Sequence, residues 1–95
     1  MAAEPSIRHD PNAGRFTLAV PSGEAVLAYA PLGKGVLEFF STYVPPGDRG
    51  RGVAARLVRA GLEYARAEGY RVVPTCWYVR QWMRAHPESE DLLAR

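Results

Sequence analysis

A chain of 95 residues holds apolar side chains for one core and not for two, and its 47% hydrophobic and 23% charged content excludes wholesale disorder, so a single domain is expected over 1–95. A formal net charge of +2, with Lys34 the single lysine, is too small an excess to argue for nucleic-acid binding. No apolar run reaches membrane-spanning length, Cys76 alone excludes an internal disulfide, and the opening Met-Ala-Ala-Glu-Pro-Ser lacks the basic-then-apolar order of an export leader; a cytoplasmic protein without a membrane partner is expected.

Residues 1 to 14 are polar and punctuated by Pro5, Pro11 and Gly14, which predicts an irregular or weakly paired lead-in around Ile7 to Asp10. Arg15 to Val20 alternates, with Phe16, Leu18 and Val20 on one face and Arg15 and Thr17 on the other, as a half-buried strand does. Pro21-Ser22-Gly23 signals a turn into a second strand, Glu24 to Ala30, and Pro31 to Gly35 signals another into Val36 to Val44. Three strands joined by short turns read as an antiparallel meander. The third is apolar on both faces, which suits a central strand: Leu37, Phe39 and Tyr43 point one way and Val36, Phe40 and Val44 the other. Glu38 belongs to the second set, with Thr42 further along it.

Val44 to Ala55 then turns from strand to helix. Ala54, Leu57, Val58, Gly61, Leu62 and Ala65 recur at helical spacing, with Arg56, Arg59, Glu63 and Arg66 opposite, and Gly69 closes the helix. Tyr70 to Cys76 is a short strand carrying Pro74, and strand, helix and strand in this order predict a right-handed crossover with the two strands parallel. Val79, Trp82, Met83 and His86 share a second helical stripe, best read as core, with His86 a packing or helix-terminal histidine. Pro87 interrupts it, and Glu88 to Arg95 has residues for another turn or two around Leu92 and Leu93.

The turn carries the chemistry. Gly50 and Gly52 bring no Cβ between backbone and ligand, the first helical turn presents unpaired N–H groups, and Arg49 and Arg51 add planar donors suited to phosphate oxygens. A P-loop would need a Lys-Ser/Thr pair after its last glycine, where this chain has Val53-Ala54. The dinucleotide pattern Gly-x-Gly-x-x-Ala is met by Gly50, Gly52 and Ala55. However, Pro45 to Arg49 separates the glycines from the strand, and the next strand ends in Thr75-Cys76 with no acid for a ribose.

Arg49-Gly50-Arg51-Gly52-Val53-Ala54, after a long strand and opening an amphipathic helix, resembles the Arg/Gln-x-x-Gly-x-Gly/Ala signature of the GCN5-related N-acetyltransferases. Thr42-x-Val44-Pro45, Pro74-x-Cys76, Tyr78-Val79 and His86-Pro87 extend the likeness to the small YjdJ-type subfamily, from Phe16 to about Leu93. Ser41 departs from it, since relatives commonly carry His there, and no role of that histidine is carried over.

The resemblance implies an α/β fold of minimal size: a meander, a β-α-β crossover with splayed parallel strands, and a carboxy-terminal helix. It implies acetyl-CoA (coenzyme A binding), with the pyrophosphate on Arg49, Gly50, Arg51, Gly52, Val53 and Ala54. The pantetheine would pair with strand backbone near Tyr43 and Val44, and the Val44 N–H would face the developing oxyanion. It implies transfer of acetyl to an amine, with Glu38 as candidate base and Tyr78 as candidate acid. Cys76, at a strand end before a helix, offers a second route by taking the acetyl group itself. Three functions compete: an N-acetyltransferase acting on an unidentified amine of a protein side chain or small molecule; a non-catalytic CoA- or acyl-CoA-binding regulatory module; and a binding domain using Arg56, Arg59, Arg66, Arg80 and Arg84, which acids balance. The chain lacks residues for the last strands of larger relatives, leaving the acceptor side open to a large substrate or to a second copy in a homodimer.

Overall fold

Alternating apolar residues carry the first half of the chain into a sheet, and the computed structural model, which describes residues 6–94, shows its strands in the order β1-β2-β3-β4-β5. Expectations placed on 1–5 and on Arg95 lie outside the described residues. β1 (Arg8–Asp10), β2 (Arg15–Val20), β3 (Gly23–Gly33) and β4 (Val36–Tyr43) pair antiparallel in sequence order. The meander thus has four strands rather than three. The fourth is the short β1, whose His9 lies opposite Phe16 with the two rings stacked at 4.0 Å.

β3 runs further than its turn residues suggest. Pro31 and Gly33 stay in the strand, and the reversal is made by Lys34 and Gly35 alone. The pairing of β3 with β2 has already ended at Ala28, so the amide that Pro31 lacks is not missed on that side.

β4 breaks the expected alternation. Ala28 faces Ser41 but Tyr29 faces Phe39, so Phe40 is an extra residue, a β-bulge. Leu37 and Phe39 are buried toward the helices; past the bulge, Thr42 pairs with buried Leu27 on that same face, and Tyr43 pairs with Val26 on the other. The sequence-based faces are therefore corrected from Phe40 onward. Tyr43 leaves the Leu37 and Phe39 side, and Thr42 leaves the Glu38 side.

α1 (Val53–Glu68) crosses over the sheet, burying Val53, Leu57, Val58, Gly61, Leu62 and Ala65. Gly61 sets its distance, because a Cβ there would stand 2.8 Å from Leu27 Cδ2 and 3.3 Å from Phe39 Cζ. Gly69 ends the helix, and Tyr70 N–H returns to Ala65 O at 2.8 Å. β5 (Arg71–Pro74) then lies parallel to β4, pairing Val36 to Phe39 with Arg71 to Pro74. α2 (Trp77–Ala85) adds buried Val79 and Met83 to the cluster beneath α1. The further turn expected around Leu92 is a 3-10 helix over Pro87–Leu92, after which Leu93 makes an isolated bridge to Val72. Both helices sit on one face of the sheet. The opposite face, with Val26, Ala28, Glu38 and Val73 half-buried and Phe40 and Tyr43 exposed, carries no described helix.

Candidate functional site

The parallel strands part after Phe39. Pro74 is the last β5 residue paired with β4, and Cys76 N–H reaches back to Phe39 O at 2.9 Å, closing the apex of a V. Beyond it β4 continues through Tyr43 without a partner on its β5 side, and Val44 lies past the last pair with β3. An extended chain of amides could add to such an edge.

At the mouth of the V stands the glycine turn. After Val44 a 3-10 turn (Pro46–Asp48) leads to Gly50 and Gly52 at φ 82° and 77°, left-handed values that a side chain would strain, and a Cβ on either would meet nothing within 4 Å. Their missing side chains leave open space over the backbone. Among the described residues no side chain caps α1, and the N–H groups of Gly52, Val53 and Ala54 have no intramolecular acceptor. With the positive end of a 16-residue helix behind them, they form a cradle suited to a diphosphate.

A cleft of about 390 Å³ joins the two features, lined by Thr42, Tyr43, Val44, Asp48, Arg49, Gly50, Gly52, Val53, Ala54 and Tyr78. Its size lies within the ~300–1,000 Å³ of small-molecule sites. The structure thus brings most of the sequence-predicted cofactor residues to one wall. Arg51 is exposed and outside the lining. Arg49 does line it, with its Nε donating to Val44 O at 2.9 Å, so this guanidinium also braces the turn against the end of β4.

Of the catalytic candidates, Tyr78 faces the cleft from the first turn of α2, and burial pushes its phenol up, keeping it a proton-bearing donor at neutral pH. Cys76 lies outside the cleft lining, half-buried at the apex, with Thr42, which does line the cleft, placing its Oγ1 3.5 Å from the Cys76 Sγ. Burial acts to raise its thiol, but the Thr42 hydroxyl and the backbone N–H groups of Val79, Tyr78 and Thr42 outweigh it, so the thiol lies below its ordinary range although no capping hydrogen bond closes. Glu38 does not join them. It lies on the bare face, accepting from Thr75 Oγ1 at 2.6 Å, outside the cleft lining. His86 stacks on Trp82 at 3.7 Å with Nδ1 2.8 Å from Trp82 O, a packing arrangement at the helix end.

Two further site residues received no role from the sequence, although Thr42 stands in one of its motifs. Asp48 is buried, and its carboxylate accepts from Ser22 N–H at 2.9 Å and from the Ser22 hydroxyl, tying the glycine turn to the β2–β3 turn. Those bonds hold its carboxyl below the usual carboxylate range against the opposing effect of burial, with Arg51 adding to them. Its one sequence signal is an acid in a Pro-Gly turn, which is ordinary for a loop. Thr42 is the other: only the bulge shows that it faces Cys76.

Residues 15–92 match the family described as GCN5-related N-acetyl-transferase. The chain is similar to Protein NATD1 of Bos taurus, 34% identical over 88 residues that cover 90% of this chain and 78% of that protein. It is 32% identical to Protein NATD1 of Homo sapiens, over 90% of this chain and 78% of that one, and 32% identical to the Gallus gallus protein of the same name, over 90% and 80%. The fold is similar to the NMR solution structure of a GCN5-like protein from Staphylococcus aureus, with a TM-score of 0.70 and 16% identity over 94% of this chain and 87% of that one.

Proposed function

The chain belongs to the GCN5-related N-acetyltransferase family, which generally uses acetyl-CoA, and on that premise we propose that it transfers acetyl from acetyl-CoA to an amine by way of Cys76. The observation that carries this reading is the cleft itself, which runs from the uncapped amides of the Gly50–Gly52 turn to Thr42 and Tyr78, with Cys76 at the apex of the V. The amides of the turn would hold the diphosphate, and the free edge of β4 at Tyr43 and Val44 the pantetheine amides. The sulfur of Cys76 would accept the acetyl group and Tyr78 would protonate the departing coenzyme sulfur. The acceptor amine would approach from the bare face of the sheet, where a protein surface or a second copy of the chain in a homodimer has access. A free thiol in this role suits a reducing, cytoplasmic setting.

A second reading, a regulatory module that binds CoA or an acyl-CoA without turnover, is favoured by one feature: the cleft lining holds no carboxylate free to act as base. Glu38 lies on the other face and Asp48 is engaged by Ser22.

Titration calorimetry with acetyl-CoA, repeated on Gly52→Glu, tests the cofactor site. Saturable binding to the native chain, lost when a carboxylate fills the cradle, is expected. Intact mass after incubation separates the two readings. A gain of one acetyl group absent from Cys76→Ser supports acyl transfer; tight binding with no gain and no acetylated amine supports the regulatory module.

A further inference from the structure

Thr42 owes its direction to the bulge. On an unbroken β4 its hydroxyl would fall on the bare face with Glu38; the extra residue at Phe40 turns it to the helix side, into register with buried Leu27. There Oγ1 lies 3.5 Å from Cys76 Sγ and borders the cleft shared with Val53 and Tyr78. Cys76 is located independently, by its N–H bond to Phe39 O and by the first turn of α2. Backbone geometry thus sets both partners, and β-branching restricts the rotamers open to the threonine.

We propose that Thr42 is a positioning residue whose hydroxyl donates to the sulfur of Cys76 and holds it, as thiolate, beside the wall of the cleft that Thr42 itself lines. This rests on the acyl-transfer reading above. In that step Cys76, its proton already released to water, attacks the carbonyl carbon of acetyl-CoA. The new sulfur–carbon bond replaces the one to coenzyme A, which leaves as its thiolate and takes a proton from Tyr78 or water. In the return step the amine nitrogen attacks the acetyl carbon on Cys76, the amine proton goes to water, and Cys76 leaves as thiolate. Thr42 keeps its own proton throughout. A neutral donor at 3.5 Å favours the anionic sulfur both as nucleophile and as leaving group.

The test uses the whole chain without acetyl-CoA. Cys76 is the one cysteine, so alkylation by iodoacetamide followed by intact mass reports on it alone, across a range of pH. Thr42→Val and Thr42→Ala are expected to react about tenfold more slowly than the native chain near neutral pH, with the profile displaced to higher pH, as loss of one charge-assisted hydrogen bond implies. Thr42→Ser should follow the native profile. Superposition of the Val and Ala variants on the native chain would overturn the proposal, as would a Ser variant displaced as far as Ala, since the methyl group would then be what matters. Ala and Ser shrink the side chain alike and differ by the hydroxyl, so this pair decides even where Thr42→Val does not fold. Full transfer activity in Cys76→Ser would instead overturn the acyl route while leaving the alkylation profiles of the Thr42 series unmoved, so the two failures read differently.

Discussion

Asp48 shows how a buried carboxylate can govern a glycine turn through a partner distant in the chain. Gly47 beside it has no room for a side chain, since a Cβ there would run into the Ser22 hydroxyl, so the two turns meet at backbone distance with the carboxylate as the tie. Because the bonds from Ser22 lower its pKa, the native state binds fewer protons than the unfolded chain just below the ordinary carboxylate value. The stabilisation from Asp48 is complete above that value and is lost as pH falls through the depressed one. Asp48→Asn should therefore lower the urea midpoint at pH 7 and lose less than the native chain on acidification to pH 3. It should also weaken acetyl-CoA binding measured by calorimetry, because Gly50 and Gly52 lose their anchor. Equal midpoints at pH 7 would count against the tie. At this scale the glycines of the turn were legible from their spacing, whereas Asp48 was not and Thr42 was legible as a motif position without its partner, because what defines each is a residue distant in the chain, Ser22 and Cys76.

At the scale of elements, α1 was the most legible, since a stripe at helical spacing ended by a glycine has few alternative readings. Ala54 shows the limit of that pattern: it fits the stripe but is half-buried on the cleft, while Val53 takes the buried place. The bulge in β4 was hidden for a related reason. With Val36, Leu37, Phe39 and Phe40 all apolar, neither face is marked, and a one-residue slip leaves no trace in the pattern. Gly61 is where α1 and this strand meet most closely, between Leu27 and Phe39, both fully buried. Alanine there gains about 1 kcal/mol of helix propensity but must displace packed side chains at about 1–3 kcal/mol. Gly61→Ala should therefore be destabilised by roughly 1 kcal/mol and Gly61→Val by more, read from denaturant midpoints at unchanged slope. A stabilised Gly61→Ala would mean that Leu27 yields freely and that the seat is looser than its contacts imply.

Across the whole molecule, the glycine turn and the far edge of the sheet are held by separate means. The cradle opens at the start of α1, whereas Tyr64, about 16 Å further along the helix at 1.5 Å per residue, closes over an aromatic group at β1. His9 stacks on Phe16, meets the Tyr64 ring edge-on at 4.3 Å and bonds to the Tyr29 hydroxyl. Tyr29 is pushed up to about 12, first by burial and then by Tyr64, so both phenols stay neutral across the physiological range. Burial lowers the pKa of His9, and Asp10 opposes this only in part. The native state therefore binds fewer protons than the unfolded chain below the ordinary histidine value of about 6.5. The stabilisation from His9 is present in full above that value and is lost as pH falls through the lowered one. Denaturant midpoints of the native chain should accordingly drop between about pH 7 and pH 5, a decline that His9→Phe, which keeps the stack and cannot take a proton, should largely remove. Acetyl-CoA binding at pH 7 should be the same in both, because β1 touches neither the glycine turn nor the splay of β4 and β5. A parallel loss of binding would mean that the sheet transmits the edge to the cleft, and the acid sensitivity of β1 would then belong to the function as well as to the fold.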